Sequence, residues 1–230
     1  MRLSRLSLVV TIAALSLFFV RTTSAQEDTM AYKHFEVGAG ATLGASIFNG
    51  TVPEGSKTDI HFPAYLIQAM GIYSFHPYWG AALGIGYETR GMFFKQQNVT
   101  EPNVDFTLNY ISIQPSIKFK QFMLGVTIGV PTGASVKYTP GSGLPVQTTS
   151  VGKDTMNTLI DIRIGGMLPI VENDAGALYF LINASWNLSD AFNQGFGTPG
   201  QTSGGLVTKS PIHTIQLGLS YLFAPGGKTH

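Results

Sequence analysis

The residues best equipped for chemistry are few. Glu36, Glu88, Arg90, Lys118, Asp161 and Arg163 stand in stretches otherwise rich in Gly, Ile, Leu and aromatic side chains. Glu88-x-Arg90 and Asp161-x-Arg163 are spaced so that both members project to the same side of an extended strand. Away from water such groups must pair, because an isolated buried charge is very costly. Set in file they would pass protons or ions; tied together they would form a structural plug, and the plug is the expectation. Asp59-x-His61 is a second constellation, since an Asp–His pair can activate a water for hydrolysis. No second carboxylate or positioned Ser accompanies it, so a polar pair on a rim is expected and no catalytic residue is assigned. His34, His76 and His213 are isolated in the chain. The sequence has no cysteine, which excludes a disulfide and a thiolate metal site, and it predicts neither metal nor cofactor. Gly38-x-Gly40 and Gly84-x-Gly86 lie inside alternating runs, not at a strand-to-helix turn, so they are packing positions and not a nucleotide fingerprint.

What positions these residues is a period of two. In Ile111-Ser112-Ile113-Gln114-Pro115-Ser116-Ile117-Lys118-Phe119 the odd positions are apolar or proline and the even ones polar. Leu178, Phe180, Ile182, Ala184, Trp186 and Leu188 alternate with Tyr179, Leu181, Asn183, Ser185, Asn187 and Ser189, and Ile215 to Phe223 repeats the pattern. This is the signature of strands with one apolar face. It predicts eight strands, near 35–48, 62–76, 78–93, 105–119, 121–137, 155–172, 175–189 and 211–223. All reach the roughly 9–11 residues that a tilted strand needs to cross a membrane. The six charged residues fall on their polar phase.

The first 25 residues read as a cleaved signal peptide: Arg2 and Arg5, an apolar run from Leu8 to Val20, then Thr23-Ser24-Ala25. Removing 25 of 230 residues leaves 205, enough for one domain over 26–230. Without Arg2, Arg5 and Arg21, fourteen basic residues fall to eleven against thirteen acidic ones, a net charge of −2. No basic stripe exists, so nucleic acid is not an expected partner. Charged residues make up 12% of the chain, half the usual share of about 25%. No second long apolar run is present, so a membrane location requires a closed barrel, which leaves no strand edge unpaired in lipid.

Connections alternate in length. Tight turns are expected at 76–78, near Lys120 and at 172–175, with longer segments at 49–61, 94–104, 138–154 and 190–210. The long ones hold turn formers such as Pro140-Gly141-Ser142-Gly143 and Gly197-Thr198-Pro199-Gly200. Bacterial outer-membrane barrels have short periplasmic turns and longer extracellular loops. The expected fold is therefore all-β, a closed antiparallel eight-stranded transmembrane barrel in the outer membrane of a Gram-negative cell, displaying four loops outside. Small residues such as Gly38, Gly40, Thr42, Gly44 and Ser46 suit its narrow lumen, while Ile, Leu, Phe and Trp suit lipid. Tyr32, Tyr78, Trp79 and Tyr221 are expected in an inner aromatic girdle, and Tyr65, Tyr87, Phe93, Phe94 and Tyr110 toward the outer one.

With these strands and this final strand, the chain resembles the outer-membrane β-barrel proteins of the PorT-like family, and more broadly small barrels of the OmpA/OmpX type. The resemblance spans about 32–223 and rests on pattern. It implies an assembly signal at Leu219, Tyr221 and Phe223, read by the barrel-assembly machinery; the tail Ala224 to His230 departs from members that stop at the Phe. The functional expectation is a non-enzymatic scaffold, set in outer-membrane lipid, whose loops contact an extracellular or envelope protein partner. The alternatives are a narrow, porin-like channel for small or apolar solutes and, less favoured, an embedded hydrolase.

Overall fold

The computed structural model describes residues 34–50, 52, 55–96, 102–140, 145–173, 175–193, 196–197, 206–207 and 210–225. The expected signal peptide (1–25), Tyr32 and the turn formers at 141–143 and 198–200 lie outside them. Among these residues twelve strands occur in chain order: β1 Phe35–Phe48, β2 Ser56–Asp59, β3 His61–Ser74, β4 Trp79–Gln96, β5 Asn103–Phe119, β6 Phe122–Thr139, β7 Gln147–Val151, β8 Leu159–Glu172, β9 Gly176–Asn187, β10 Phe196–Gly197, β11 Leu206–Val207 and β12 Ile212–Phe223. Eight long ones pair antiparallel in a ring, β1-β3-β4-β5-β6-β8-β9-β12, and β12 returns to β1. The chain thus forms a closed eight-stranded antiparallel barrel, and no helix among the described residues is long and apolar enough to cross a membrane.

The predicted alternation sets the facing. On β12, Leu217 is 49% exposed and its neighbour Gln216 1%. Around the ring Val37, Leu43, Ile67, Ile85, Ile113, Ile128, Ile162, Trp186 and Leu219 all point outward. A water-soluble barrel would bury these side chains and present its charges instead. An exterior of Ile, Leu, Val and aromatic residues is stable only against lipid, so we read the ring as spanning a membrane.

Eight strands close only with tight curvature, and glycine permits it where the first strand meets the last. A Cβ at Gly38 would come within 1.9 Å of the Tyr221 carbonyl oxygen, and one at Gly44 within 1.8 Å of that of Ile215. Turns at one end are short. Asn173 Oδ1 accepts hydrogen bonds from the amides of Ala175 (3.0 Å) and Gly176 (2.9 Å), and Lys120 takes φ 53 between β5 and β6. This is the turn end. At the opposite, loop end, β4, β5 and β6 run further than predicted, and β2 and β7 flank them within segments expected to be loops. The result is a five-stranded sheet, β2-β4-β5-β6-β7, that prolongs one side of the barrel wall.

Candidate functional site

The lumen is filled in three layers. At the loop end the inward positions become apolar. On β5, Val104, Phe106, Leu108 and Tyr110 point inward while Asp105, Thr107 and Asn109 point out. Below Tyr110 the same strand turns Ile111, Ile113 and Ile117 outward. The alternation is unbroken and the apolar phase changes side, because the prolonged wall meets water outside and must pack a dry core within. On β6 a bulge opposite Asn109 and Tyr110 makes the same exchange, so Ala134 and Val136 face inward.

This apolar layer is a stopper. The Phe48 and Phe94 rings lie 5.2 Å apart, Phe94 and Phe106 5.9 Å, Phe106 and Phe192 6.0 Å, all near edge-to-face. Phe192 comes from a connecting segment, and the backbone holds it there. Asn157 N donates to Ala191 O (3.0 Å) and Asn193 N to Thr155 O (3.0 Å), around a bridge between Met156 and Phe192. Asn157 Nδ2 donates to Phe192 O (2.9 Å), and Ser210 Oγ accepts from Ala191 N (2.8 Å). Two loop segments thus clasp each other and press Met156 and Phe192 into the mouth.

Beneath the stopper sits an ion cluster built across the lumen. Arg90 on β4 donates from Nε and Nη2 to Glu88 Oε1 (2.9 and 2.7 Å) and from Nη1 to the Ile212 carbonyl on β12 (3.1 Å). Its Nη2 also binds Asp161 Oδ2 on β8, whose Oδ1 accepts from Asn187 Nδ2 (2.8 Å). Arg90, Glu88 and Asp161 are each at most 1% exposed. The trio carries one excess negative charge. Arg163, the next inward position after Asp161, supplies an offsetting positive one without touching a carboxylate among the described residues. Its Nη2 donates to Gln216 Oε1 at 3.4 Å, which also accepts from Thr42 Oγ1 (3.1 Å). Arg163 Nη1 and Gln68 Oε1 have no hydrogen-bond partner among the described residues. Both residues line a void of about 20 Å³ with Gln114, Ser116, Met123 and Asn183, room for about one water.

The third layer lies toward the turn end. Tyr179 OH donates to Glu36 Oε1 (3.0 Å), and Lys118 Nζ is 4.0 Å from Glu36 Oε2. Met70, Ile72, Met167, Leu181 and Leu222 pack around them. The six charged positions therefore divide into two groups, at different depths, with three acids against three bases. Asn187, Tyr179, Gln216 and the aromatic stopper complete the arrangement and were not singled out from sequence. The switch of apolar phase at Tyr110-Ile111 was the readable signal for the stopper.

The Asp59–His61 pairing is corrected. Asp59 Oδ1 accepts from the amide of Ile60 (2.8 Å), while His61 Nδ1 lies 2.8 Å from Asp105 Oδ1 on β5. The His61 ring crosses Gly91, where a Cβ would come within 2.3 Å of it, so the missing side chain opens the way to Asp105. A strand break at Ile60 puts the two sequence neighbours on different strands. Phe94 and Tyr110 are likewise corrected: both are buried in the lumen and belong to no girdle. Tyr78, Trp79 and Tyr221 are exposed at the turn end, and Tyr65 and Tyr87 stand 6.2 Å apart on the outward face. Leu219, Tyr221 and Phe223 point outward on β12. His34 Nδ1 hydrogen-bonds Ser74 O (3.2 Å), His76 Nδ1 accepts from Tyr78 N (3.2 Å), and His213 stacks on Trp186 at 4.3 Å. Among the described residues no group of three or more His, Asp or Glu could hold a metal ion.

No family model matches the chain, and no curated protein is similar to it in sequence, so the PorT-like resemblance stays one of pattern. Solved structures do match in outline. The attachment invasion locus protein Ail of Yersinia pestis is 15% identical, covering 83% of this chain and 99% of its own, with a TM-score of 0.39. Neisserial surface protein A is 9% identical (83% and 97%, TM-score 0.40), and OprG of Pseudomonas aeruginosa 11% (85% and 99%, TM-score 0.35). These are small outer-membrane β-barrels, and the likeness concerns the fold alone.

Proposed function

We propose that this protein is a non-enzymatic outer-membrane barrel with a closed lumen, a rigid scaffold that presents its loop end to the outside of a Gram-negative cell. One observation carries the reading: the lumen is occupied along its length by the protein's own side chains. The aromatic stopper lies over the Glu88–Arg90–Asp161 cluster, and the gap near Arg163 is only about 20 Å³. A conducting pore needs a continuous wetted path, and a hydrolase needs a base aimed at open space. Neither Asp161 nor Glu88 has such space, since both are fully buried against Arg90. Binding then falls to the loop end, through 138–154 and 190–210, where the partner is an external or envelope protein. Assembly in the membrane is assigned to the barrel-assembly machinery acting on Leu219, Tyr221 and Phe223.

Planar-bilayer recording tests the closed lumen. The unmodified protein is expected to give little steady current. Large, stable, single-size channels would replace the scaffold reading with transport.

A further inference from the structure

On the loop-end sheet, the outward face carries lysines that form no ion pair among the described residues. Lys57 on β2 lies directly opposite Lys95 on β4, so both share one face. One row nearer the barrel, Phe93 lies between Asp59 and Asp105, and Asp105 lies opposite Lys137 of β6. All three lysines are exposed. Like charges set directly opposite destabilise a strand pair, and Asp59 and Asp105 in the next row offset two of the three. Asp59 turns its carboxylate to the amide of Ile60, and Asp105 holds His61. Among the described residues none of the three lysines forms an ion pair. The face thus sets three lysines against two carboxylates around Phe93, a net charge of +1.

The position of this face names its occupant. On β5 and β6 the face runs through Thr107 and Asn109 to Ile111 and Val130 of the apolar exterior, while on β4 Thr89 is buried and the His61 ring covers Gly91. Whatever meets the lysines therefore stands on top of the lipid tails. Each row is two residues, about 5 Å along the barrel axis for strands tilted about 40°. Lys137 lies three rows and Lys57 and Lys95 four rows beyond Tyr87, about 15–20 Å. That exceeds a glycerophospholipid headgroup layer, since headgroups add only about 5–8 Å per side to the hydrocarbon core. It fits a layer of sugars. Lysine, a flexible point charge, is a common phosphate binder. Building on the outer-membrane reading above, we propose that Lys57, Lys95 and Lys137 form a docking surface for the phosphate groups of an outer-leaflet glycolipid.

The test uses the full folded barrel in neutral detergent. Two probes are titrated, a glycolipid whose phosphates lie on the sugars that extend beyond its acylated disaccharide and the same glycolipid stripped of those phosphates, and retention is read by native mass spectrometry. The phosphorylated probe is expected to bind at least tenfold tighter, each lysine near an anionic layer adding to the preference. That preference should vanish in the Lys57→Gln/Lys95→Gln/Lys137→Gln variant and persist in Lys153→Gln, a change at an exposed lysine in the short turn Lys153–Thr155 after β7. Equal retention of the two probes, or a preference that survives the triple substitution, overturns the proposal. So does displacement by equimolar inorganic phosphate, which would make a free anion the ligand, or tighter binding of a sulfated polysaccharide. If the triple variant does not fold, the comparison of the two probes on the unmodified chain still decides. Neither channel current nor a loop partner enters the measurement, so its failure is separate from failure of the closed-scaffold reading.

Discussion

Arg90 is the side chain whose loss this barrel should tolerate least. It holds two carboxylates and a backbone carbonyl drawn from three strands, with its charge fully buried. Replacing Arg90 with Ala leaves Glu88 and Asp161 buried without their cation. Breaking such a pair from one side costs about 3–5 kcal/mol, which we expect to see as a lower urea midpoint for the refolded barrel. Adding Glu88→Gln and Asp161→Asn should recover much of the loss, since the orphaned charges then disappear; no recovery would mean that Arg90 acts through packing alone. The adjacent positions Leu217 and Gln216 test the facing. Leu217→Arg should place a charge toward lipid at a cost of about 2–4 kcal/mol near the midplane. Sequence alone suggests that Gln216→Arg, pointing inward, is the milder change. The structure predicts that it also costs about 1–3 kcal/mol by overpacking, with Arg163 a like charge beside it. The same folding measurement separates the outcomes: no loss for Gln216→Arg would argue for a looser, wetter lumen.

At the scale of elements, the clasp between the two loop segments is held by a few main-chain bonds and by two side chains in the stopper. Phe192 supplies the buried area, and Asn157 and Ser210 the hydrogen bonds. Phe192→Ala removes an anchor of the kind worth about 3 kcal/mol or more in a core. If that loss falls on local opening, protease should nick 190–210 on the order of 100-fold faster, with the barrel strands intact. Unchanged nicking would show that the segment is held by something other than the stopper. The prolonged β4–β5–β6 wall is stable by the opposite logic to the membrane part, apolar inside and polar outside. One strand thus obeys two solvents in succession, and β5 changes its apolar phase where the solvent changes.

For the whole molecule, a ring closed by antiparallel hydrogen bonds has no edge from which to unravel in lipid. An unheated sample in mild detergent should therefore migrate differently on a gel from a boiled one. Identical migration, with a monomer soluble without detergent, would remove the membrane reading. Orientation is checked on intact cells: external protease should cut within 138–154 or 190–210 and spare 172–175, and cleavage at 172–175 would invert the barrel.

The eight strands of the ring and the closed barrel were legible in the sequence, and the same alternation put Glu36, Glu88, Arg90, Lys118, Asp161 and Arg163 on the polar phase. A period of two is a local property, and a one-residue slip would turn every side chain to the wrong face. Which inward groups meet was not legible. Arg90 finds Asp161 71 positions away and Ile212 122 positions away, and such contacts depend on strand register and on how the ring closes. The same holds for His61, whose acid neighbour is Asp105 and not Asp59, because a break at Ile60 moves the partners onto different strands. The stopper lay between these cases. Its residues were visible as aromatics, but a single membrane-wide rule assigned Phe94 and Tyr110 to the girdle. Only the tertiary structure shows where the wall rises out of lipid, and there burial in a dry core replaces exposure to tails as the apolar residue's lower-energy place.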